Sequence, residues 1–337
     1  MSAITIDGPA RKLLWLSSSR IGYLDVPRGV EESLRAGFSQ FKIVVGRDED
    51  TVHREIEDCE IFVSWALGAE QFARCRKLKW IHSPSAGVGQ LLAPGVAESN
   101  VIVTNGRTVH AVPVAEHAIA LLLALARRLG DCFHHQSAGV WGHTAMWEGR
   151  HLPMEVNGRT LGLVGLGSIG REIAARARAL GMRVVAAKRD TSQGGDCVDK
   201  VYSRHQLPAM LAEADYLIIA APDTPVTRHI VGPEELRRMK PTAFLINIAR
   251  GTLVDTESLR QALESGTIAG AALDVTDPEP LPPEHLLWHA PNLLISHHMA
   301  SATDRFWPRQ ADLLKENLRR YLAGEPLLNL VDKKKGY

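Results

Sequence analysis

Short apolar runs alternate with longer amphipathic stretches along most of the chain. In its first third, Leu13–Leu16, Ile43–Val45, Ile61–Val63, Trp80–Ile81 and Val101–Thr104 hold few polar side chains. Strands this uniformly apolar belong in a parallel sheet covered on both faces, since a half-exposed strand alternates polar and apolar positions. Between them, Glu31–Gly37 and Glu70–Arg76 suit helices. The alternation predicts a doubly wound α/β unit. A second series begins at Thr160. Leu161–Val164, Val184–Ala187, Tyr216–Ala220, Phe244–Ile248, Ala271–Val275 and Leu293–Ser296 are the predicted strands, with helices at Glu172–Leu180, Leu207–Ala214 and Thr256–Ser265. One more helix, Phe306–Leu322, is expected to return to the first domain. Residues 1–109 and 301–337 would then form one domain, with 110–300 inserted in it.

Two segments depart from this rhythm. Val112–Arg128 is periodic enough for a strong helix, with Pro113 placed in its first turn, where proline is tolerated, and Gly130 as its stop. The following stretch, about 131–155, carries Phe133, Trp141, Trp147 and several histidines without clear periodicity. It reads as a long loop, and a loop this aromatic often covers a partner surface.

Composition narrows the function classes. A chain of 337 residues suggests about two domains. The net charge of +1 gives no basic stripe for nucleic acid, and Lys333-Lys334-Lys335 reads as a solvated tail. The apolar run Val112–Ala126 contains Glu116 and His117 and falls short of the about 20 residues that span a bilayer. Met1–Arg11 has no apolar signal core, so a cytoplasmic protein is expected. Cys59, Cys75, Cys132 and Cys197 form no CxxC pair, and no metal site is expected.

The first chemical signal is Leu163-Val164-Gly165-Leu166-Gly167-Ser168-Ile169-Gly170, a GxGxxG run that follows an apolar strand and opens a helix. Gly165 permits a tight turn, Gly167 lets backbone approach a pyrophosphate, and Gly170 allows close helix–strand packing. Free N–H groups at the helix start, around Ser168 and Ile169, suit an anion. An NAD site places an acid roughly 20 residues further on, against the ribose. Here the strand ends in Lys188-Arg189, with Asp190 following. Cations at that point suit a 2′-phosphate, which favours NADP(H) and leaves NAD(H) as the alternative.

Several further segments, in fixed order, resemble the D-isomer-specific 2-hydroxyacid dehydrogenase family, in its glyoxylate/hydroxypyruvate reductase-like branch. They are Ser85-Ala86-Gly87-Val88, Val114-Ala115-Glu116-His117, Asn157-Gly158-Arg159-Thr160, Pro222 through Thr227, Asn247-Ile248-Ala249-Arg250-Gly251, Asp274-Val275 through Glu279-Pro280, and His298-Met299-Ala300. The resemblance implies a Rossmann coenzyme domain inserted in a flavodoxin-like substrate domain. It also implies a homodimer, with an arm contributed by the 131–155 segment. Ala86, Gly87 and Val88 would cradle the substrate. Pro222, Thr227, Ile248, Ala249, Asp274 and Ala300 would join the glycine turn around the cofactor.

Reducing a 2-oxo acid needs a hydride donor, an anchor for the carboxylate and a proton donor for the carbonyl oxygen. Arg250, just after a strand, offers a planar guanidinium for the carboxylate. His298 can act as general acid in reduction and base in oxidation. Glu279 would orient the ring and stabilise its protonated form. Both His298 and Arg250 would also border the cofactor. The resemblance is broken at His297, where the family has proline, and at Gly89, where many members have aspartate. A phosphite or formate dehydrogenase on the same fold and a dinucleotide-sensing corepressor are the rival readings. The formate enzymes use a His–Gln pair, so Glu279 argues against formate. The corepressors keep the same charged set, which does not separate them.

Overall fold

The computed structural model describes residues 11–17, 22–148, 152–191 and 195–336. Met1–Ala10, the stretch without a signal core, and residues 149–151 of the aromatic segment lie outside these. The chain divides into two compact units. One comprises the residues up to His110 together with those from Thr303 onward, and the other runs from Ala111 to Ala302.

In the first unit, β1 (Arg11–Leu16), β2 (Phe41–Gly46), β3 (Ile61–Val63), β4 (Trp80–Ser83) and β5 (Ile102–Asn105) form an all-parallel sheet in the order β2-β1-β3-β4-β5. This is the flavodoxin-like order. Helices α1 (Arg28–Gly37), α2 (Glu49–Glu55) and α3 (Ala69–Arg74) alternate with the strands. Both sheet faces are covered, which is why the strands are apolar throughout. On one face Leu13, Trp15, Ile61 and Trp80 pack with Phe306, Trp307, Leu314 and Leu318 of the helix Phe306–Ala323. On the other, Leu14, Phe62, Ile81 and Val103 pack with Cys59, and Cys75 joins the same cluster. His82 is completely buried between Thr104 and Gln310, 2.8 and 2.7 Å from its two ring nitrogens. Desolvation pushes its pKa down to about 3, so it is a neutral packing residue. Lys333 is not part of a solvated tail. Its ammonium donates to the carbonyls of Val96, Ser99 and Val101, in the turn that leads into β5.

The chain passes between the units along α4 (Arg107–Ala126). This helix starts earlier than its apolar periodicity indicates, so Pro113 lies inside it rather than in its first turn. At 20 residues it is also long and apolar enough to cross a bilayer by composition alone, contrary to the length read from Val112–Ala126. Ala115, Ala118, Leu122 and Ala126 are instead buried in the core of the second unit, which accounts for the hydrophobicity. The aromatic segment is not a loop: it forms α5 (Leu129–Ser137) and α6 (His143–Glu148). Neither short helix buries a residue, so neither has the apolar stripe by which a sequence announces a helix. Phe133, Trp141 and Trp147 are 66%, 91% and 68% exposed.

The second unit is built on β6 (Thr160–Val164), β7 (Arg183–Ala187), β8 (Lys200–Tyr202), β9 (Tyr216–Ile219), β10 (Phe244–Asn247), β11 (Gly270–Leu273) and β12 (Leu293–Ile295). These make a seven-stranded sheet, all parallel, in the order β12-β11-β10-β9-β6-β7-β8. β8 escapes a sequence reading because it is a short edge strand with only Tyr202 fully buried. The strands from β6 run outward one way and those from β9 the other, so the order reverses between β6 and β9. That is the topological switch point at which such sheets bind ligands, at the carboxyl ends of the strands.

Candidate active site

The carboxyl edge of the second sheet carries nearly all the residues singled out above. Taken across the sheet, β7 leads to Lys188 and Arg189, β6 to Gly165–Gly170, and β9 to Pro222–Thr227. β10 then leads to Arg250, β11 to Asp274 and Glu279, and β12 to His298. At about 4.8 Å per strand this row spans roughly 24 Å, room for an extended dinucleotide.

The turn after β6 is shaped for a phosphate. Gly165 has φ +100°, and a Cβ there would lie 2.8 Å from the Ala220 carbonyl oxygen. Gly170 packs so closely on Gly165 that a Cβ would come within 2.5 Å of its carbonyl oxygen. At Gly167 the space is open, with no atom within 4 Å of an added Cβ. Gly167 is also the N-cap of α7 (Ser168–Ala179) and has no side chain to occupy the first amides. The amide of Gly165 donates to the Ala187 carbonyl at 2.9 Å, which sets the end of β7 beside the turn. Arg189 and Asp190 are exposed there and Lys188 is half-buried. In the loop after β9 the Thr227 hydroxyl donates to the Pro222 carbonyl (2.7 Å) and accepts from the Thr224 amide (2.8 Å), closing the loop on itself.

Arg250 is held by a residue that sequence reasoning quoted without giving it a task. Asn247, fully buried, donates to the Arg250 carbonyl at 2.8 Å and accepts from the Ala249 amide at 3.1 Å. One guanidinium nitrogen donates to the Ala249 carbonyl at 2.6 Å, and the remaining donors have no partner among the described residues. Gly251 lets this loop lie against the next one, for a Cβ there would sit 2.0 Å from the Thr276 carbonyl. Glu279, beyond Thr276, accepts from His298 Nδ1 at 2.5 Å, with the two side chains 38% and 46% exposed.

His297 and His298 have φ of 59° and 54°, a left-handed conformation that costs non-glycine residues about 1–3 kcal/mol each and must be imposed by their surroundings. Proline, fixed near φ −65°, has no access to it. The His297 ring stacks on Trp288 at 6.0 Å. Asp274 does the imposing. Its amide donates to the Asn247 carbonyl at 2.9 Å and its carbonyl accepts from His298 at 2.5 Å. Its carboxylate accepts from the amides of Met299 (2.9 Å) and Ala300 (3.0 Å) and from the Ser296 hydroxyl (2.8 Å). Ile248 and Ala300, expected near the cofactor, are themselves buried. Ala86, Gly87 and Val88 follow β4 in the first unit, with the Ala86 carbonyl held by Asn105 at 2.7 Å. A cavity of about 710 Å³ bordered by Arg128, Arg159, Phe244 and Asn292 opens at the amino ends of the second unit's strands, away from these groups.

A phosphate-shaped glycine turn, with a cation, an acid and a histidine on the same sheet edge, is the set of groups that a nicotinamide-dependent oxidoreductase needs. The chain belongs to the D-isomer specific 2-hydroxyacid dehydrogenase family, whose NAD binding domain it matches over residues 119–300. The glyoxylate reductase of Korarchaeum cryptofilum is 34% identical over 303 residues, which cover 87% of this chain and 90% of that protein. A D-isomer specific 2-hydroxyacid dehydrogenase from Xanthobacter autotrophicus, solved with NADPH and MES, superposes with a TM-score of 0.82 at 29% identity, covering 98% of this chain and all of that one. The NADPH-dependent glyoxylate/hydroxypyruvate reductase of Sinorhizobium meliloti, solved with NADP and sulfate, gives 0.80 at 26% identity over 97% of this chain and 100% of its own.

Burial alone would raise the Asp274 pKa. The hydrogen bonds from His117, Ser296 and the Ala300 and Met299 amides outweigh it and hold the carboxyl below its ordinary 3.8. A depressed folded value means stability that is present above 3.8 and lost as pH falls through the folded value. Wild type is therefore expected to exceed Asp274→Asn in denaturant midpoint by a constant margin between about pH 7 and pH 5, and by a shrinking one in stronger acid. A margin independent of pH down to acid unfolding would show that the charge contributes nothing.

Proposed function

We propose that the chain reduces small 2-oxo acids of the glyoxylate and hydroxypyruvate type to D-2-hydroxy acids, with NADP(H) preferred over NAD(H). The observation that carries this is the 2.5 Å pairing of His298, beyond β12, with Glu279, beyond the β11 strand that adjoins the one leading to Arg250, all on the same edge as the glycine turn. Relatives named for glyoxylate supply the substrate class.

The roles follow from the chemistry of each group. Arg250 holds the substrate carboxylate through paired N–H donors. The first amides of α7 and the open space at Gly167 receive the pyrophosphate. The bound nicotinamide supplies the hydride. His298, its Nδ1 held by Glu279, presents Nε2 and gives its proton to the carbonyl oxygen as the alkoxide forms. Glu279 offsets the charge of the imidazolium before that transfer and fixes the ring's orientation. The reverse reaction uses the same groups, with His298 as base.

For the cofactor, Lys188 and Arg189 stand where a ribose-binding acid would exclude a 2′-phosphate, and the Gly165–Ala187 hydrogen bond supports their placement beside the phosphate turn. One charge pair at about 4 Å is worth on the order of 1–4 kcal/mol, and about 1.4 kcal/mol is tenfold in affinity. For assembly, we read the exposed Phe133, Trp141 and Trp147 as the face on which a second copy docks by two-fold symmetry.

His298→Ala is expected to lose about 10²–10⁴-fold in kcat for glyoxylate or hydroxypyruvate reduction. Arg250→Ala should weaken carboxylate binding and turnover together, and Glu279→Gln should lower kcat because the ring loses the charged acceptor that orients it. Wild-type turnover in His298→Ala, or an equal loss in His297→Ala, would contradict the assignment. For the cofactor, kcat/KM should favour NADPH by about tenfold or more, and Arg189→Ala should remove that advantage while leaving NADH activity almost unchanged. A preference for NADH would put Asp190 at the ribose instead. In sedimentation the protein should run as a dimer that Trp141→Lys or Trp147→Glu weakens, and a monomer at all concentrations would sink the assembly reading.

A further inference from the structure

We propose that His117 is a positioning residue: through the Ser296 hydroxyl, its Nε2–H fixes the Asp274 carboxylate and with it the turn that presents His298. The inference rests on the catalytic role given to His298 above. His117 Nε2 lies 2.8 Å from Ser296 Oγ, and that hydroxyl donates to Asp274 Oδ1 at 2.8 Å. Since the Ser296 proton is committed to the carboxylate, its oxygen must accept, and His117 must be the donor. The same nitrogen stands 3.5 Å from Asp274 Oδ1, so it adds a direct electrostatic contact.

Three elements meet in this chain of donors. His117 comes from α4, Ser296 follows β12 and Asp274 follows β11. Its neighbour Glu116 takes no part and pairs with Arg176 at 3.4 Å. Asp274 is 3% exposed, and a carboxylate that deep stays ionised only while its oxygens are satisfied. Below it hang the amides of Met299 and Ala300, and its own carbonyl holds the amide of His298. Loss of the His117 donor would weaken the anchor of a left-handed turn that does not hold itself. A small displacement of a reacting group is enough to cost catalysis heavily.

Glutamine can reach with an N–H donor, and leucine cannot, so the pair separates donation from packing. His117→Leu is expected to lower kcat about tenfold or more with the 2-oxo acid KM within about twofold, and His117→Gln to keep kcat within about threefold. Ser296→Ala should behave like His117→Leu, and Ser296→Thr like wild type. Hydrogen exchange of the peptide spanning Ser296–Ala300, followed by mass spectrometry, should quicken in His117→Leu and not in His117→Gln. Exchange and kcat unchanged in His117→Leu, or equal losses in the glutamine and leucine variants, would overturn the proposal. An inactive wild type would instead defeat the functional reading, and the exchange comparison would still decide whether His117 anchors the turn.

Discussion

The carboxylate, carbonyl and amide of Asp274 between them hold Asn247 on one side and Ser296, His298, Met299 and Ala300 on the other. An ionised carboxylate at 3% exposure is costly unless every oxygen is paired, and here the pairing partners are the Ser296 hydroxyl and the amides of the loop that carries His298. The cost of burial and the geometry of the site are therefore one problem with one solution. The turn keeps His297 and His298 at positive φ because its amides are committed to Asp274. The outer end of the same loop system, Glu279, then meets the His298 ring.

The rest of the edge follows from parallel strands. Every strand of the second sheet points its carboxyl end the same way, so loops far apart in sequence open on one line. Two close approaches make that line compact. Gly165 and Gly170 let the β6 turn lie between Ala220 and α7, and Gly251 lets the Arg250 loop touch Thr276. A side chain at any of these would push apart backbones that must lie within van der Waals contact. The reversal of strand order between β6 and β9 leaves the crevice beside the glycine turn.

Much of this was legible in the sequence because buried parallel strands are unbroken apolar runs, and the residues that follow each run fall at the carboxyl edge. Arg250 after β10, His298 after β12 and the glycines after β6 could be placed that way, and the structure brings them to one edge. What escaped depends on tertiary context. The β8 strand is too short and too exposed to show a pattern, and α5 and α6 lack a buried face. The early start of α4 and the burial of Lys333 depend on neighbours that periodicity does not name. Asn247, Ser296 and His117 are ordinary polar residues whose importance lies in what they bond. Asn247 and His117 both lie inside segments that resemble the family, but neither position says which group its side chain bonds.

In the proposed reaction Arg250 and His298 together present one face of a 2-oxo acid to hydride. Chiral analysis of the product formed from hydroxypyruvate and NADPH reads this directly. D-glycerate as the only hydroxy acid is the outcome expected, since an anchored carboxylate and a fixed proton donor leave one face open. A racemic mixture or no hydroxy acid at all would contradict it, and L-glycerate would contradict the D-specificity proposed for the reaction.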